Sequence, residues 1–194
     1  KELIKLKDPS VVDVLIQAIS DTSEEVRIEA IQALGEIGDE RAVEPLIDAM
    51  DDESLVVREK TAKSLGKLGK HEAGDALISA LSNNSDLSIV CAIIEALGQI
   101  GDTRAVDPLL VFLTHKEPNT RECTAAALGK LRDSRAVDSL VVALNDEQER
   151  VRWYAADSLG KIGNPICLDS LIKLLSDTSA RVRESAVTAL GKIG

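Results

Sequence analysis

The sequence predicts an all-α fold in which a pair of short helices repeats six times and stacks into an α-solenoid. Within each repeat, apolar side chains recur at helical spacing. A fixed period of this size is typical of a solenoid, in which each repeat buries its apolar face against its neighbours. The recurring phrase ends in Leu-Gly, and its glycines are spaced by 31, 32, 31, 31 and 31 residues, at Gly35, Gly66, Gly98, Gly129, Gly160 and Gly191.

The second helix of each repeat, called helix B, carries this phrase. In the first copy the apolar or small residues Val26, Ala30, Ala33, Leu34 and Ile37 fall on one stripe of a 3.6-residue helix. The stripe is therefore predicted to form the core, and its alanines allow a neighbouring helix to approach closely. The residues on the opposite face differ freely from copy to copy, so that face is expected to be exposed.

The first helix of each repeat, helix A, precedes helix B across a short polar turn. In the first repeat, Asp8 is a suitable N-cap and Pro9 a suitable first helical residue, which predicts a helix from about Pro9 to Ile19. In the second and fourth repeats an aspartate is expected to cap helix A, and a proline further along is expected to remove one internal hydrogen bond and bend it. These residues are Asp39, Asp102, Pro45 and Pro108.

This alternation predicts one continuous array without separate domains. Apolar residues make up 44% of the chain and aromatic residues only 2%, a balance that suits thin layers of aliphatic side chains. Apolar residues at both ends, Leu3, Leu6, Leu190 and Ile193, predict end-to-end self-association or membership of a longer array. The repeats are expected at residues 1–38, 39–69, 70–101, 102–132, 133–163 and 164–194.

Charge and composition restrict the partners. The formal net charge of −10 repels nucleic-acid phosphates, so no nucleic-acid partner is expected. No apolar run approaches the roughly 20 residues that span a bilayer, and no leader opens the chain, so no membrane partner is expected either. The cysteines Cys91, Cys123 and Cys167 have neither CxxC spacing nor a secreted framework, which favours a reducing, cytoplasmic location.

The loop aspartate, the Val-Arg pair and the phrase A-x-x-A-L-G-x-I-G-D-x-R-A-V-x-P-L resemble the HEAT-like repeats typified by phycobilisome lyase subunits. The resemblance covers nearly the whole chain and implies a right-handed superhelix of six two-helix repeats. It also implies that loop aspartates and Val-Arg arginines pair between neighbouring repeats. The ladder residues would be Asp21, Asp52, Asp146 and Asp177 with Arg27, Arg58, Arg152 and Arg183, interrupted by Asn84 and Val90 in the third repeat and with His115 opposite Arg121 in the fourth.

Catalytic and metal-binding patterns are weak. HEAT-repeat deoxyhypusine hydroxylases bind two irons through several His-Glu pairs, but this chain has one such pair, His71-Glu72, and His115 is not followed by Glu. Phosphate-binding, zinc-protease and serine-hydrolase motifs are absent from the sequence. We therefore expect no metal, no cofactor and no enzymatic activity.

The exposed face of helix B is the predicted binding site, because helix B lines the concave side when helix pairs stack. The single Trp and the single Tyr are adjacent there, with Arg150 beside them, and these residue types are enriched at binding hot spots. Alternatively, Trp153 merely covers the seam between repeats. The candidate partner-binding residues are Trp153, Tyr154, Arg150, Glu122, Cys123, Asp157 and Glu184.

Two functions remain open from the sequence. The first is a noncatalytic scaffold that binds a protein or peptide on the concave helix-B face. The alternative is a subunit of a bilin lyase, which the resemblance implies through the fold phrase alone.

Overall fold

The computed structural model describes residues 9–194, and all regular secondary structure in that range is helical. This confirms the predicted all-α class. Short helices alternate with helices of 14 residues, the latter being the predicted helices B. The α-helices are α1 Pro9–Ala18, α2 Glu24–Ile37, α3 Val43–Asp48, α4 Leu55–Leu68, α5 Ala73–Asn83, α6 Leu87–Ile100, α7 Val106–Leu110, α8 Pro118–Leu131, α9 Val137–Ala143, α10 Glu149–Ile162, α11 Leu168–Leu174 and α12 Ala180–Ile193.

The chain divides into two compact units, one ending at Asp102 and the other comprising Thr103–Gly194. In the first unit α4 lies between α2 and α6, and in the second α10 lies between α8 and α12. Each helix A packs on the helix B that follows it. This side-by-side stacking of helices B within each unit is the arrangement of an α-solenoid.

Helix A differs in detail from the prediction. In the second repeat the chain first forms a 3₁₀ turn, Glu40–Ala42, in which the Asp39 carboxylate accepts a hydrogen bond from the Arg41 N–H. The α-helix begins only at Val43, so Pro45 is its third residue, where an N–H has no intrahelical acceptor to lose. Pro108 is likewise the third residue of α7. The expected loss of an internal hydrogen bond at these prolines is therefore wrong.

In the first copy the predicted buried stripe of helix B is confirmed at Ala30 and Leu34, whereas Ala33 and Ile37 are half-buried. Ala30 and Leu34 are buried, whereas Val26 is 41% exposed and its counterparts Val57 and Val151 are fully buried. Those counterparts lie in helices with packed neighbours on both sides. Within residues 9–194, α4 is the one helix B that packs beside α2. Leu3 and Leu6 lie outside the described residues, and Leu190 and Ile193 are half-buried, so self-association stays a prediction.

An arginine–aspartate ladder links successive repeats within each unit, as the family resemblance implied. Arg152 is representative: its Nε and Nη2 donate to both carboxylate oxygens of Asp177, and its Nη1 donates to the carbonyl of Asp146. The Asp177 carboxylate also accepts the N–H of Ser179, which fixes the turn. The ladder ion pairs are Arg27–Asp52 at 2.8 Å, Arg121–Asp146 at 2.6 Å and Arg152–Asp177 at 2.7 Å.

The ladder pairs are electrostatically strong because their side chains are mostly shielded from water. The hydrogen bond from Arg152 lowers the pKa of Asp177 below its usual range, and the same bond raises the pKa of Arg152. At the predicted interruption Asn84 stands in place of the acid, and the buried Nε of Arg58 has no hydrogen-bond acceptor among residues 9–194. In the fourth repeat the ring Nδ1 of His115 accepts the N–H of Glu117, so His115 serves as a turn-capping acceptor in place of aspartate.

A second set of ion pairs was not predicted. Arg41 donates to both Asp39 in its own turn and Asp13 in the preceding helix A, at 2.8 Å for Asp13. Arg135 contacts Asp133 and Asp107 in the same way, at 2.7 Å for Asp107. The Arg41 and Arg135 side chains are 41% and 45% exposed, so each pair contributes little to stability.

Candidate partner-binding site

Trp153 and Tyr154 lie near the start of α10, on the side facing away from the core. Val151, Ala155 and Leu159 are completely buried in the same helix, whereas both rings are only half-buried. The ring centroids are 4.3 Å apart and the ring planes are inclined by 51°. The core stripe is thus complete without the rings, which together form an amphipathic surface.

Arg181 covers the indole of Trp153. The guanidinium carbon lies 3.9 Å from the ring centroid, a cation–π contact. Arg181 belongs to α12, the next helix B along the chain, and is exposed. It was absent from the predicted site, although it stands one repeat after Arg150 at the same helical position.

Arg150, which the sequence placed beside the rings, forms an ion pair with the preceding helix B. Its Nε lies 3.1 Å from a carboxylate oxygen of Glu122, which belongs to the preceding helix B, α8. Glu122 is only 8% exposed, so its predicted place on an exposed face is wrong. Glu122 is buried because the Arg150 side chain, at the second position of α10, extends towards Glu122 at the fifth position of α8 and covers it.

The remaining predicted residues differ in their surroundings. Cys123 is half-buried, and its thiol donates to the Asn119 carbonyl within α8. The Asp157 carboxylate lies 2.6 Å from the Lys161 ammonium in its own helix and 3.5 Å from that of Lys192 in α12. Glu184 is exposed on α12. The structure therefore places all seven predicted residues in one unit, along α8, α10 and α12.

We call the side chains of α8, α10 and α12 that lie off the buried stripe the second-unit face. A side-chain to backbone hydrogen bond joins α12 to α10 at the site: the Ser185 hydroxyl donates to the Trp153 carbonyl at 3.2 Å. The Ser158 hydroxyl of α10 donates to the Ala125 carbonyl of α8 at 2.7 Å. Such side-chain to carbonyl bonds hold the three helices in register, so the rings stand on a rigid support.

Candidate metal-binding and catalytic side chains are not clustered in the described residues. Within residues 9–194, no three His, Cys, Asp or Glu side chains are grouped so that they could hold a metal ion. The His71 ring nitrogen lies 3.8 Å from the Asp102 carboxylate, and Glu72 is exposed. None of the helices in the same range is both long and apolar enough to cross a membrane.

A family model of HEAT repeats matches residues 12–90, 74–151 and 138–194. No curated protein matches the sequence significantly. An engineered protein of known crystal structure superposes with a TM-score of 0.69 at 22% identity, covering 94% of this chain and 96% of that one. A designed armadillo repeat protein solved with the peptide (KR)4 gives a TM-score of 0.67 at 18% identity, with 94% and 99% coverage.

The complex of CpcE and CpcF of phycocyanin lyase from Nostoc sp. PCC7120 is also similar. Its TM-score is 0.62 at 25% identity, and the match covers 98% of this chain and 85% of that one. The first two structures share the fold with this chain. The third shares the fold at 25% sequence identity.

Proposed function

The chain belongs to the HEAT-repeat family, and on that premise we propose that it is a noncatalytic scaffold that binds a protein or peptide partner on the second-unit face. We further propose that the chain consists of the six repeats given above and that the second-unit face is part of the concave side of the array. Repeat folds of this kind present a row of helices whose outward positions can vary without disturbing the core.

The observation that carries the proposal is the Trp153–Arg181 contact. An indole and a guanidinium are large, rigid and able to form both apolar and polar contacts, which makes them frequent centres of interfaces. Trp153 is half-buried although the core beneath it is already filled by Val151, Ala155 and Leu159. A ring that is not needed to fill the core is available for a partner.

The test uses peptides selected from a random library against the intact chain. Trp153→Ala should weaken binding by about 2 kcal/mol, roughly thirtyfold in Kd, because truncation removes the centre of the interface. Glu36→Ala is the matched control, since Glu36 is exposed near the end of α2 and belongs to the other unit. Thermal melting of both variants is recorded beside the titrations. A Trp153→Ala protein that loses melting temperature but no affinity would show that the ring serves packing alone.

A second candidate is a subunit of a bilin lyase, favoured by the 25% identity to the phycocyanin lyase complex over nearly the whole chain. It is tested by adding a phycobilin to the chain and recording the visible absorption spectrum. A bound chromophore shifts its absorption band, and an unshifted spectrum counts against this function.

A further inference from the structure

The second-unit face carries hydrogen-bond donors that have no acceptor within residues 9–194. The indole N–H of Trp153, the hydroxyl of Tyr154 and the guanidinium of Arg181 take part in no hydrogen bond there. The indole supplies one donor and the guanidinium five in a fixed planar fork. The side chains that carry these donors are neighbours, because the Arg181 guanidinium lies over the Trp153 ring and the Trp153 and Tyr154 ring centroids are 4.3 Å apart.

Two carboxylates on the same face, those of Glu122 and Asp157, are already paired. Glu122 is nearly buried beneath Arg150, and the Asp157 carboxylate is shared by Lys161 and Lys192. Two ammonium groups on one carboxylate leave a positive charge without compensation. Around the rings the Arg181 guanidinium thus has no carboxylate partner among the described residues, whereas Glu122 and Asp157 are paired.

The distribution of charge along the chain agrees with this local excess. Residues 1–102 contain 10 Lys or Arg and 21 Asp or Glu, whereas residues 103–194 contain 13 and 12. The overall acidity of the protein is therefore confined to the first 102 residues. An acidic ligand meets no net repulsion from the second unit itself.

From these observations we propose that the second-unit face binds an extended segment that carries carboxylates beside an apolar side chain; this rests on the function proposed above. The carboxylate bonds to the Arg181 fork, which matches its planar geometry, and to the Trp153 indole N–H. The apolar side chain packs on the uncovered surfaces of the Trp153 and Tyr154 rings. Lys161 and Lys192 bind further carboxylates along the segment.

Glu184 limits where the acidic residues of the partner can lie. It is exposed on α12, one helical turn after Arg181, and no cation lies within ion-pair distance of it among the described residues. A carboxylate of the ligand is repelled there, which favours binding in the register that places an apolar or neutral residue opposite Glu184. Removal of this charge should therefore strengthen binding of an acidic segment.

Trp153 is the only tryptophan of the chain, so its fluorescence reports directly on the site. The intact protein is titrated at low ionic strength with three blocked peptides of equal length, built from Glu-Leu-Ser, Gln-Leu-Ser and Lys-Leu-Ser repeats. The Glu peptide should bind about tenfold more tightly than the Gln peptide, and salt should reduce the difference. The Lys peptide should bind most weakly.

Two variants with opposite expected effects separate electrostatics from folding. Arg181→Gln should weaken the binding of the Glu peptide about tenfold, because a charge-assisted hydrogen bond is lost. The affinity for the Gln peptide should be nearly unchanged. Glu184→Gln should strengthen the binding of the Glu peptide about threefold. Lys67→Gln is the control, since it removes one positive charge from an exposed position on α4 in the other unit and should have little effect.

The outcomes also separate this inference from the proposed function. Equal binding of the Glu and Gln peptides, or preference for the Lys peptide, overturns the inference that the partner is acidic. The proposal that the second-unit face binds a partner would still stand. If none of the three peptides changes the Trp153 emission, while the peptides selected from the library also bind elsewhere, both proposals are wrong.

Discussion

The guanidinium carbon of Arg181 lies 3.9 Å from the centroid of the Trp153 ring, although the two residues belong to successive repeats. The same relation holds between Arg150 and Glu122. In each case the second residue of one helix B lies beside the fifth residue of the preceding helix B. The identity of that fifth residue decides whether the arginine forms an ion pair or stacks on a ring.

The first prediction concerns the surroundings of the indole. Arg181→Ala should shift the Trp153 fluorescence emission to longer wavelength, because the ring face loses its cover and is hydrated. The loss of the cation–π contact should cost no more than about 1 kcal/mol at this exposed position. Arg150→Ala is the matched control and should leave the emission unchanged, since Arg150 contacts Glu122. The same shift in both variants would contradict the observed pairing.

The second prediction concerns the ladder. Arg152→Ala should lower the free energy of unfolding by roughly 3 kcal/mol, because it leaves the Asp177 carboxylate, 9% exposed, without its cation. Arg41→Ala removes an arginine whose side chain is 41% exposed and should cost at most about 1 kcal/mol. Urea denaturation of both variants checks the comparison, and equal losses would show that the ladder is no stronger than the surface pairs.

The third prediction restores a missing ladder residue. Asn84→Asp places a carboxylate at the position equivalent to Asp52, which pairs with Arg27, so we expect the new acid to pair with Arg58. The variant should be more stable by about 1 kcal/mol, and its advantage should disappear when the pH falls low enough to protonate the new acid. Asn83→Asp adds the same charge at the neighbouring exposed position and should give no gain. Melting temperatures of the two variants decide the matter.

The fourth prediction compares two glycines at the same position of different repeats. A methyl group on Gly160 would lie 2.7 Å from the Ala189 Cα, so Gly160→Ala should destabilise by about 2 kcal/mol as the helices are forced apart. Among the described residues, a methyl group on Gly191 would meet no atom of a neighbouring helix within 4 Å. Gly191→Ala should instead stabilise by about 0.5 kcal/mol through helix propensity. Destabilisation by both changes would mean that the glycine is required by backbone conformation rather than by close packing.

The sequence by itself determined the elements that depend on local periodicity. The spacing of Gly35, Gly66 and their counterparts predicted the repeat, and the stripe through Ala30 and Leu34 predicted which side of helix B is buried. These inferences succeed because hydrogen bonding and side-chain direction within one helix depend on residues three or four positions apart. The ladder was predictable from its residue types once the resemblance was recognised.

Only the tertiary structure decided which side chains of different repeats meet. The sequence placed Arg150 beside Trp153, but the offset between neighbouring helices brings Arg150 onto Glu122 and Arg181 onto Trp153. That offset depends on how closely the helices approach, at Gly160 against Ala189 and Gly129 against Ser158. It has no signature in the periodicity of a single helix. The repeat spacing could have identified Arg181 as a second arginine of the same kind, but the direction of both side chains towards the preceding helix follows from packing alone.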